Sequence, residues 1–245
     1  MLYDHPDLYD ALLPASAAQL NYYLNLARQR AGAVLELACG SGQLIAPISS
    51  TGVPATGLDQ SSKMLLAANR RATASGTPVQ LVEGDMREFD LGRRFSLIFV
   101  ARNSLLHLSE QDEFAAFFSS VRRHLEPDGV LAFDIFNPSL QLLSRPSGER
   151  FHVMRATSPL HGELTVESTN DYDRHAQVNR ATWFVSTSGE RDAWVFPLHL
   201  RSIFPQELLA LLAANGVHLT RRDGDYSGSS FTNASMSQVC QCRLA

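Results

Sequence analysis

A chain of 245 residues, 44% hydrophobic and 19% charged, is long enough to bury a full core and ordinary enough in composition to be globular. Its net charge of −4 argues against a general nucleic-acid binder, and the scattered pairs Arg70-Arg71, Arg93-Arg94, Arg122-Arg123 and Arg221-Arg222 make no basic stripe. No apolar run approaches the roughly 18 residues that cross a bilayer, and Asp4, Asp7 and Asp10 stand where a signal peptide would be basic, so a cytoplasmic protein without a membrane role is expected.

Residues 1–30 predict a helical, amphipathic cover. Val34–Leu37 then reads as a short buried strand that runs into a glycine turn and a helix. Thr56–Leu58 is a second strand ending in Asp59, and the helix after it takes Ser61 or Ser62 as its cap. Val79–Val82 and "FSLIFV" are the third and fourth strands. "EQDEFAAFFSSVRRHLEPDG" has helical spacing, with Pro127 and Gly129 as its stop, and "VLAFDIF" is the fifth strand. Repeated strand–helix–strand units predict an α/β fold with a doubly wound, mostly parallel sheet. From Phe151 to Ile203 the helices vanish and four β-rich runs follow one another, which predicts an antiparallel insertion acting as a cap on a single domain spanning 1–245. A helix opening at Pro205 and strands near Val217–Arg221 and Gln238–Leu244 bring the main sheet to seven. Cys39, Cys240 and Cys242 read as reduced packing thiols, and no metal site is expected.

The glycine turn "LELACGSGQL" raises the question of its ligand. The third glycine or alanine of a dinucleotide fingerprint is replaced by Ile45, and the Gly-Lys-Ser/Thr end of a phosphate loop is missing. Glu36 in the approach would repel a pyrophosphate and attract an ammonium group. At the next strand end, Asp59 can accept both hydroxyls of a ribose. After the third strand, Asp85 suits an adenine amino group, Met86 offers its backbone N–H to the ring, and Met64 packs on the ring's other side.

These residues, with "GLDQSSKML", "EGDMREF" and "LEPDGVLAFDIFNP", resemble the class I S-adenosylmethionine-dependent methyltransferases over nearly the whole chain. The opening "YDHPDLYD" and the insertion are similar to the family's small-molecule branch, including amino-sugar N,N-dimethyltransferases. The resemblance implies a Rossmann-like methyltransferase fold with S-adenosylmethionine as cofactor and S-adenosylhomocysteine as product. It implies that Gly40 and Gly42 let the backbone close on the methionine part, with its ammonium near the Ala38 carbonyl. Tyr3 and Tyr9 would lie over the cofactor, and Gln60 and Ala101 complete that set. Glu36 stands where many members have Asp, which keeps the charge and lengthens its reach.

Methyl transfer needs an aligned nucleophile and excluded water, and a base only where the nucleophile must lose a proton. "ARNSLLHL" supplies Arg102, Asn103, Ser104 and His107 beside the expected sulfonium, with His107 the candidate base; "FDIFNP" supplies Asp134, Phe136 and Asn137. The insertion would contribute Arg155, Tyr172, Trp183 and Arg201 to an acceptor pocket. The reading is an enzyme that methylates a nitrogen or oxygen of a small molecule in specialised metabolism, acting as a monomer or homodimer without nucleic acid. The alternatives are an RNA or protein methyltransferase, marked by a basic groove, and a cofactor-binding protein of this fold with other chemistry.

Overall fold

The structure, a computed structural model, describes residues 1–30, 32–77 and 79–245. Seven strands form one sheet in the spatial order β3 (Gln80–Glu83), β2 (Ala55–Asp59), β1 (Val34–Leu37), β4 (Phe95–Val100), β5 (Leu125–Phe136), β11 (Ser237–Leu244) and β10 (Val217–Asp223). The first five run parallel; β11 lies antiparallel to β5, and β10 antiparallel to β11. This is the doubly wound, mostly parallel sheet that the sequence predicts.

Both central strands, β1 and β4, are buried at every residue because helices cover both faces. On one face, Phe117, Phe118 and Val121 of α5 (Gln111–His124) and Leu208 and Leu212 of α7 (Pro205–Ala214) pack on Leu35, Leu37, Ile98 and Val100. On the other, Tyr23, Leu26 and Ala27 of α2 (Ala17–Arg30) and Ile45 and Ile48 of α3 (Ile45–Ser49) pack on Val34, Leu97 and Phe99. Strand alternation puts Glu36 on this second face with Val34, which is how a carboxylate enters the core. Helix α4 (Ser62–Ala74) is capped by Ser61, whose hydroxyl accepts from the Met64 N–H.

One boundary differs from the sequence reading. Helix α5 ends at His124 and not near Pro127, and β5 starts at Leu125, whose extended backbone (ψ 135°) pairs with Phe95. Pairing with β4 captures these residues earlier than their turn chemistry suggests, and the register shift between Phe95 and Leu97 absorbs the irregularity. A short helix, α6 (Leu140–Leu143), follows β5 and was not foreseen.

Strands β6 (Phe151–Ser158), β7 (Gly162–Asp173), β8 (Val178–Thr187) and β9 (Trp194–Arg201) form a separate four-stranded antiparallel sheet. Its inner face is two-part. Leu164, Val166, Val185 and Phe196 bury Leu2, Leu8 and Leu12 of the N-terminal segment, which holds a 3₁₀ turn (Leu2–Asp4) and helix α1 (Pro6–Leu12). Farther along, Trp183, Leu198 and Leu200 roof a cavity. The segment is also pinned from below: Asp10 accepts from the Ser41 hydroxyl, the Gln43 amide at 2.7 Å and the Arg71 guanidinium, and Gln43 accepts from the Ala15 N–H. Cover, glycine loop and cap are therefore one packed assembly.

Leu8 is 2% exposed between cover and cap, so Leu8→Ala should lower the unfolding free energy by ~2–5 kcal/mol in a urea titration. A loss below about 0.5 kcal/mol, the range of surface substitutions, would show that the cover is not part of the core.

Candidate active site

A cavity of about 540 Å³ opens between cover and cap, lined by residues at or just after the carboxyl ends of β1, β2, β3, β4 and β5. Carboxyl ends of strands are where open α/β sheets hold ligands. In the loop after β1, Ala38, Gly40 and Gly42 take left-handed φ values of 54°, 54° and 76°, a region costly for side chains with a Cβ. Gly40 lines the cavity and faces the Tyr9 ring, 3.9 Å from where a Cβ would stand. Gly42 does something else. A Cβ there would come within 3.0 Å of the Ala68 Cβ and 3.2 Å of its Cα, so this glycine lets α4 close on the loop and does not line the cavity.

Glu36 is buried, and the Ile45 N–H donates to its carboxylate, yet its Oε2 has no hydrogen-bond partner among the described residues. Burial pushes its carboxyl well above the usual range, against the pull of the Arg102 guanidinium. The recess around it shares Tyr9, Ala38, Arg102 and Ser104 with the main cavity. An unpaired buried carboxylate beside a cavity is a receptor for a cation.

At the end of β2, Asp59 accepts from the Gly40 N–H at 2.7 Å on Oδ2 and from the Ser61 N–H at 2.8 Å on Oδ1. Each oxygen keeps a lone pair for a further donor; burial raises this carboxyl too. Asp85, after β3, behaves differently. Arg87 binds it through Nε at 3.0 Å and Nη2 at 2.6 Å, and that pairing holds its carboxyl below the usual range. Arg87 also reaches Glu113 at 2.6 Å. Gln60, Asp85 and Met86 all line the cavity wall.

The far wall is built around Asp134, 2% exposed near the end of β5. Its carboxylate accepts from the Tyr23 hydroxyl at 2.6 Å, the Arg102 N–H at 2.8 Å and the Tyr226 hydroxyl. The Asn103 N–H donates to its backbone carbonyl at 3.2 Å. These bonds hold Arg102 and Asn103 in consecutive left-handed conformations, φ 61° and 63°, which cost ~1–3 kcal/mol each without such support. The Arg102 side chain donates to the Leu13 carbonyl and lies over the Tyr9 ring at 5.1 Å, gripping the cover.

His107 closes the 3₁₀ turn Ser104–His107, its Nε2 2.7 Å from the Tyr3 hydroxyl. Its ring is open to cavity solvent but surrounded by protein, and that burial lowers its pKa below 6.5, while burial raises that of Tyr3. Both groups are neutral at pH 7, so the Tyr3 O–H is assigned as donor and Nε2 as acceptor.

Residues 34–129 match the model of a methyltransferase domain. The chain is similar to dTDP-3-amino-3,4,6-trideoxy-α-D-glucopyranose N,N-dimethyltransferase of Streptomyces venezuelae, 33% identical over 138 residues, covering 54% of this chain and 56% of that one. It is also similar to dTDP-3-amino-3,6-dideoxy-α-D-glucopyranose N,N-dimethyltransferase of Streptomyces fradiae, 34% identical over 118 residues, covering 48% and 45%. The match spans about half the length of these curated relatives. Among solved structures, the CcbJ methyltransferase of Streptomyces caelestis superposes with a TM-score of 0.82 at 27% identity, covering 94% of this chain and 97% of that one. Over residues 34–129 in sequence, and over nearly the whole chain in fold, the protein is similar to S-adenosylmethionine-dependent methyltransferases. S-adenosylmethionine is the donor this methyltransferase family uses, and the cavity fits it: the orphaned Glu36 oxygen answers an ammonium, Asp59 has lone pairs for ribose hydroxyls, and Asp85 and Met86 stand beyond for adenine.

Of the residues expected at the site, the structure gathers Tyr3, Tyr9, Ala38, Gly40, Asp59, Gln60, Asp85, Met86, Arg102, Asn103, His107, Phe136 and Trp183 around the main cavity, with Glu36 and Ala101 in its recess. Others need correction. Met64 is 1% exposed and lies behind the cavity wall. Asn137 donates to the Ser235 carbonyl at 2.8 Å and fastens a loop. Arg155 pairs with Thr165 in register, on the face opposite Leu164, and is exposed there. Arg201 is consumed by the Ser109 and Ala176 carbonyls and by Gln177 and Glu207, a brace between the cap, the segment before α5 and α7. Tyr172 sits in that brace, its pKa raised by burial and by Glu207. Tyr226, Gln19, Leu198 and Leu200 line the cavity and were missed. The Tyr226 hydroxyl gives its proton to Asp134 and accepts from the Gln19 amide at 2.8 Å, so it offers the cavity only a lone pair.

The raised pKa of Glu36 fixes a sign. Its neutral form is favoured on folding, so this contribution is full below 4.5 and lost as pH rises through the folded-state value. Glu36→Gln should therefore raise the Tm of the free protein at neutral pH. Binding of S-adenosylhomocysteine should release a proton from the wild type, seen by calorimetry in two buffers, and not from the variant, which should bind roughly 10- to 100-fold more weakly. Equal affinity with no proton release would remove Glu36 from the site.

Proposed function

We propose that the protein transfers a methyl group from S-adenosylmethionine to an amino nitrogen of a small molecule in specialised metabolism, and that it does so in the cytoplasm. The observation that carries this reading is one cavity, with its recess, that joins the cation-receiving carboxylates Glu36 and Asp59 to the Tyr3–His107 pair. The names of the two sugar N,N-dimethyltransferases support nitrogen over oxygen. Carboxylates in the lining, Asp59, Asp85, Glu113 and Asp134, favour a small cationic acceptor over a nucleic acid.

Bound S-adenosylmethionine supplies a methyl group already activated by its sulfonium. The chain's own part begins with exclusion of water by cover and cap, which strengthens the electrostatics of the cavity. An amine reaches the site as an ammonium and must shed a proton before its lone pair can attack. The Tyr3 oxygen can take that proton while its own passes to His107 Nε2 across the 2.7 Å contact. Burial keeps that imidazole neutral and able to accept. Tyr226, polarised by Asp134 and stripped of a free proton, accepts from an N–H and orients the nitrogen.

With His107 titrating below 6.5, turnover should hold on the acid side until pH falls past the free-imidazole range. His107→Ala should lower kcat by ~10²–10⁴-fold, with the affinity for S-adenosylhomocysteine little changed. Tyr3→Phe should reproduce much of that loss. Methylation by His107→Ala at the wild-type rate from about pH 6 to 9 would leave alignment alone as the source of rate.

A further inference from the structure

The strand register sets which side chains of the antiparallel sheet face inward, and of its residues Trp183, Leu198 and Leu200 line the cavity. Ser168 pairs with Trp183 and Trp183 with Phe196; Asn170 pairs with Ala181 and Ala181 with Leu198, so these six side chains share the inner face. None carries a charge. Glu167, Asp171, Arg180 and His199 occupy the alternate positions and turn outward. An acceptor lying under this roof meets only neutral surface.

The floor offers no free cation either. Among the described residues, two guanidinium groups line the cavity, those of Arg87 and Arg102. Arg87 is held by Asp85 and Glu113, each at 2.6 Å. Arg102 is held by the Leu13 carbonyl, the Tyr9 ring and the field of Glu36. The Met1 ammonium, also at the lining, pairs with Asp4 at 2.7 Å; outside the lining, Lys63 shares that carboxylate at 3.2 Å and Arg145 lies over the Phe151 ring at 4.2 Å. A diphosphate would enter a carboxylate-lined space with every neighbouring cation engaged, and a buried unpaired anion is strongly disfavoured.

The mouth is apolar instead. Phe136, which lines the cavity, is 52% exposed, and Met236 beside it is 74% exposed. Phe136 and Met236 lie on adjoining strand ends: Phe136 pairs with Ser237, and the Asn137 N–H donates to the Met236 carbonyl at 2.9 Å. A rim of exposed large side chains continuous with a pocket marks where the rest of a ligand lies.

We infer that the acceptor is a phosphate-free amine carried on an apolar scaffold, and that this site rejects the nucleotide-diphosphate sugars named for its relatives. The inference rests on the amine-methylation reading above and narrows it to a substrate class. The test uses the full chain saturated with S-adenosylhomocysteine and two probes that share one amino sugar: octyl 3-amino-3,6-dideoxyglucoside and the dTDP-linked form of that sugar. The octyl glycoside should bind at least about tenfold more tightly by calorimetry. An octyl form that binds no more tightly than the dTDP form, or does not bind, overturns the inference. Methyl transfer to each probe from S-adenosylmethionine is followed separately by mass spectrometry. Transfer to neither, with the cofactor still bound, would count against the amine-methylation reading itself, while the order of affinities still decides the substrate class.

Discussion

The buried carboxylate of Asp134 is the constraint on which the site depends. It ties together four parts of the chain that are remote in sequence: α2 through Tyr23, the left-handed turn after β4 through Arg102, the last loop through Tyr226, and β5, on which it sits. Burial raises its pKa, and the donors around it pull the other way. A buried carboxylate with several donors is stable only while all of them stay in place. Loss of any one would loosen the turn carrying Arg102 and Asn103, and with it the 3₁₀ turn that ends at His107.

Charge explains the division of labour across the cavity. Each wall carries carboxylates, yet their environments differ. Asp85 is neutralised by Arg87, Asp134 is satisfied by hydroxyl and amide donors, and Asp59 is half-satisfied by two backbone amides. Of these four carboxylates, Glu36 is the one with an oxygen that has no partner among the described residues. That gradient from satisfied to unsatisfied runs toward the glycine loop, so the strongest pull on a cation lies where the amino-acid end of the cofactor belongs. The reacting end is left to neutral donors and acceptors, which do not compete for the sulfonium.

Much of this was legible because it follows from periodicity. The parallel strands announce themselves as short apolar runs, and each ends on a residue whose chemistry is exposed by the strand's direction: Glu36 and Ala38, Asp59, Asp85, Arg102 and Phe136 all lie around the cavity or its recess. The cap was legible as an absence of helices. Side-chain destinations inside it were not. Arg155 and Arg201 looked equally suited to an acceptor, and register alone turned one outward and spent the other on Glu207. Tyr226 was invisible for another reason: it stands in "GDYSGSS", a loop without periodicity. Strand direction was the usable signal, since β10 and β11 form an antiparallel pair and β11 opposes β5, so the loop after β10 returns to the carboxyl ends of the parallel strands.

The glycines divide in the same way. Both were expected to approach the ligand, but Gly42 serves α4 packing, and only Gly40 faces the cavity, under Tyr9. The most direct test of the whole arrangement is a crystal structure of the protein with S-adenosylhomocysteine. The account places both ribose hydroxyls on Asp59, the amino group against the Ala38 carbonyl and Glu36, and the sulfur facing His107 and Tyr226. Ribose hydroxyls away from Asp59, or an amino group turned from Glu36 toward solvent, would contradict it.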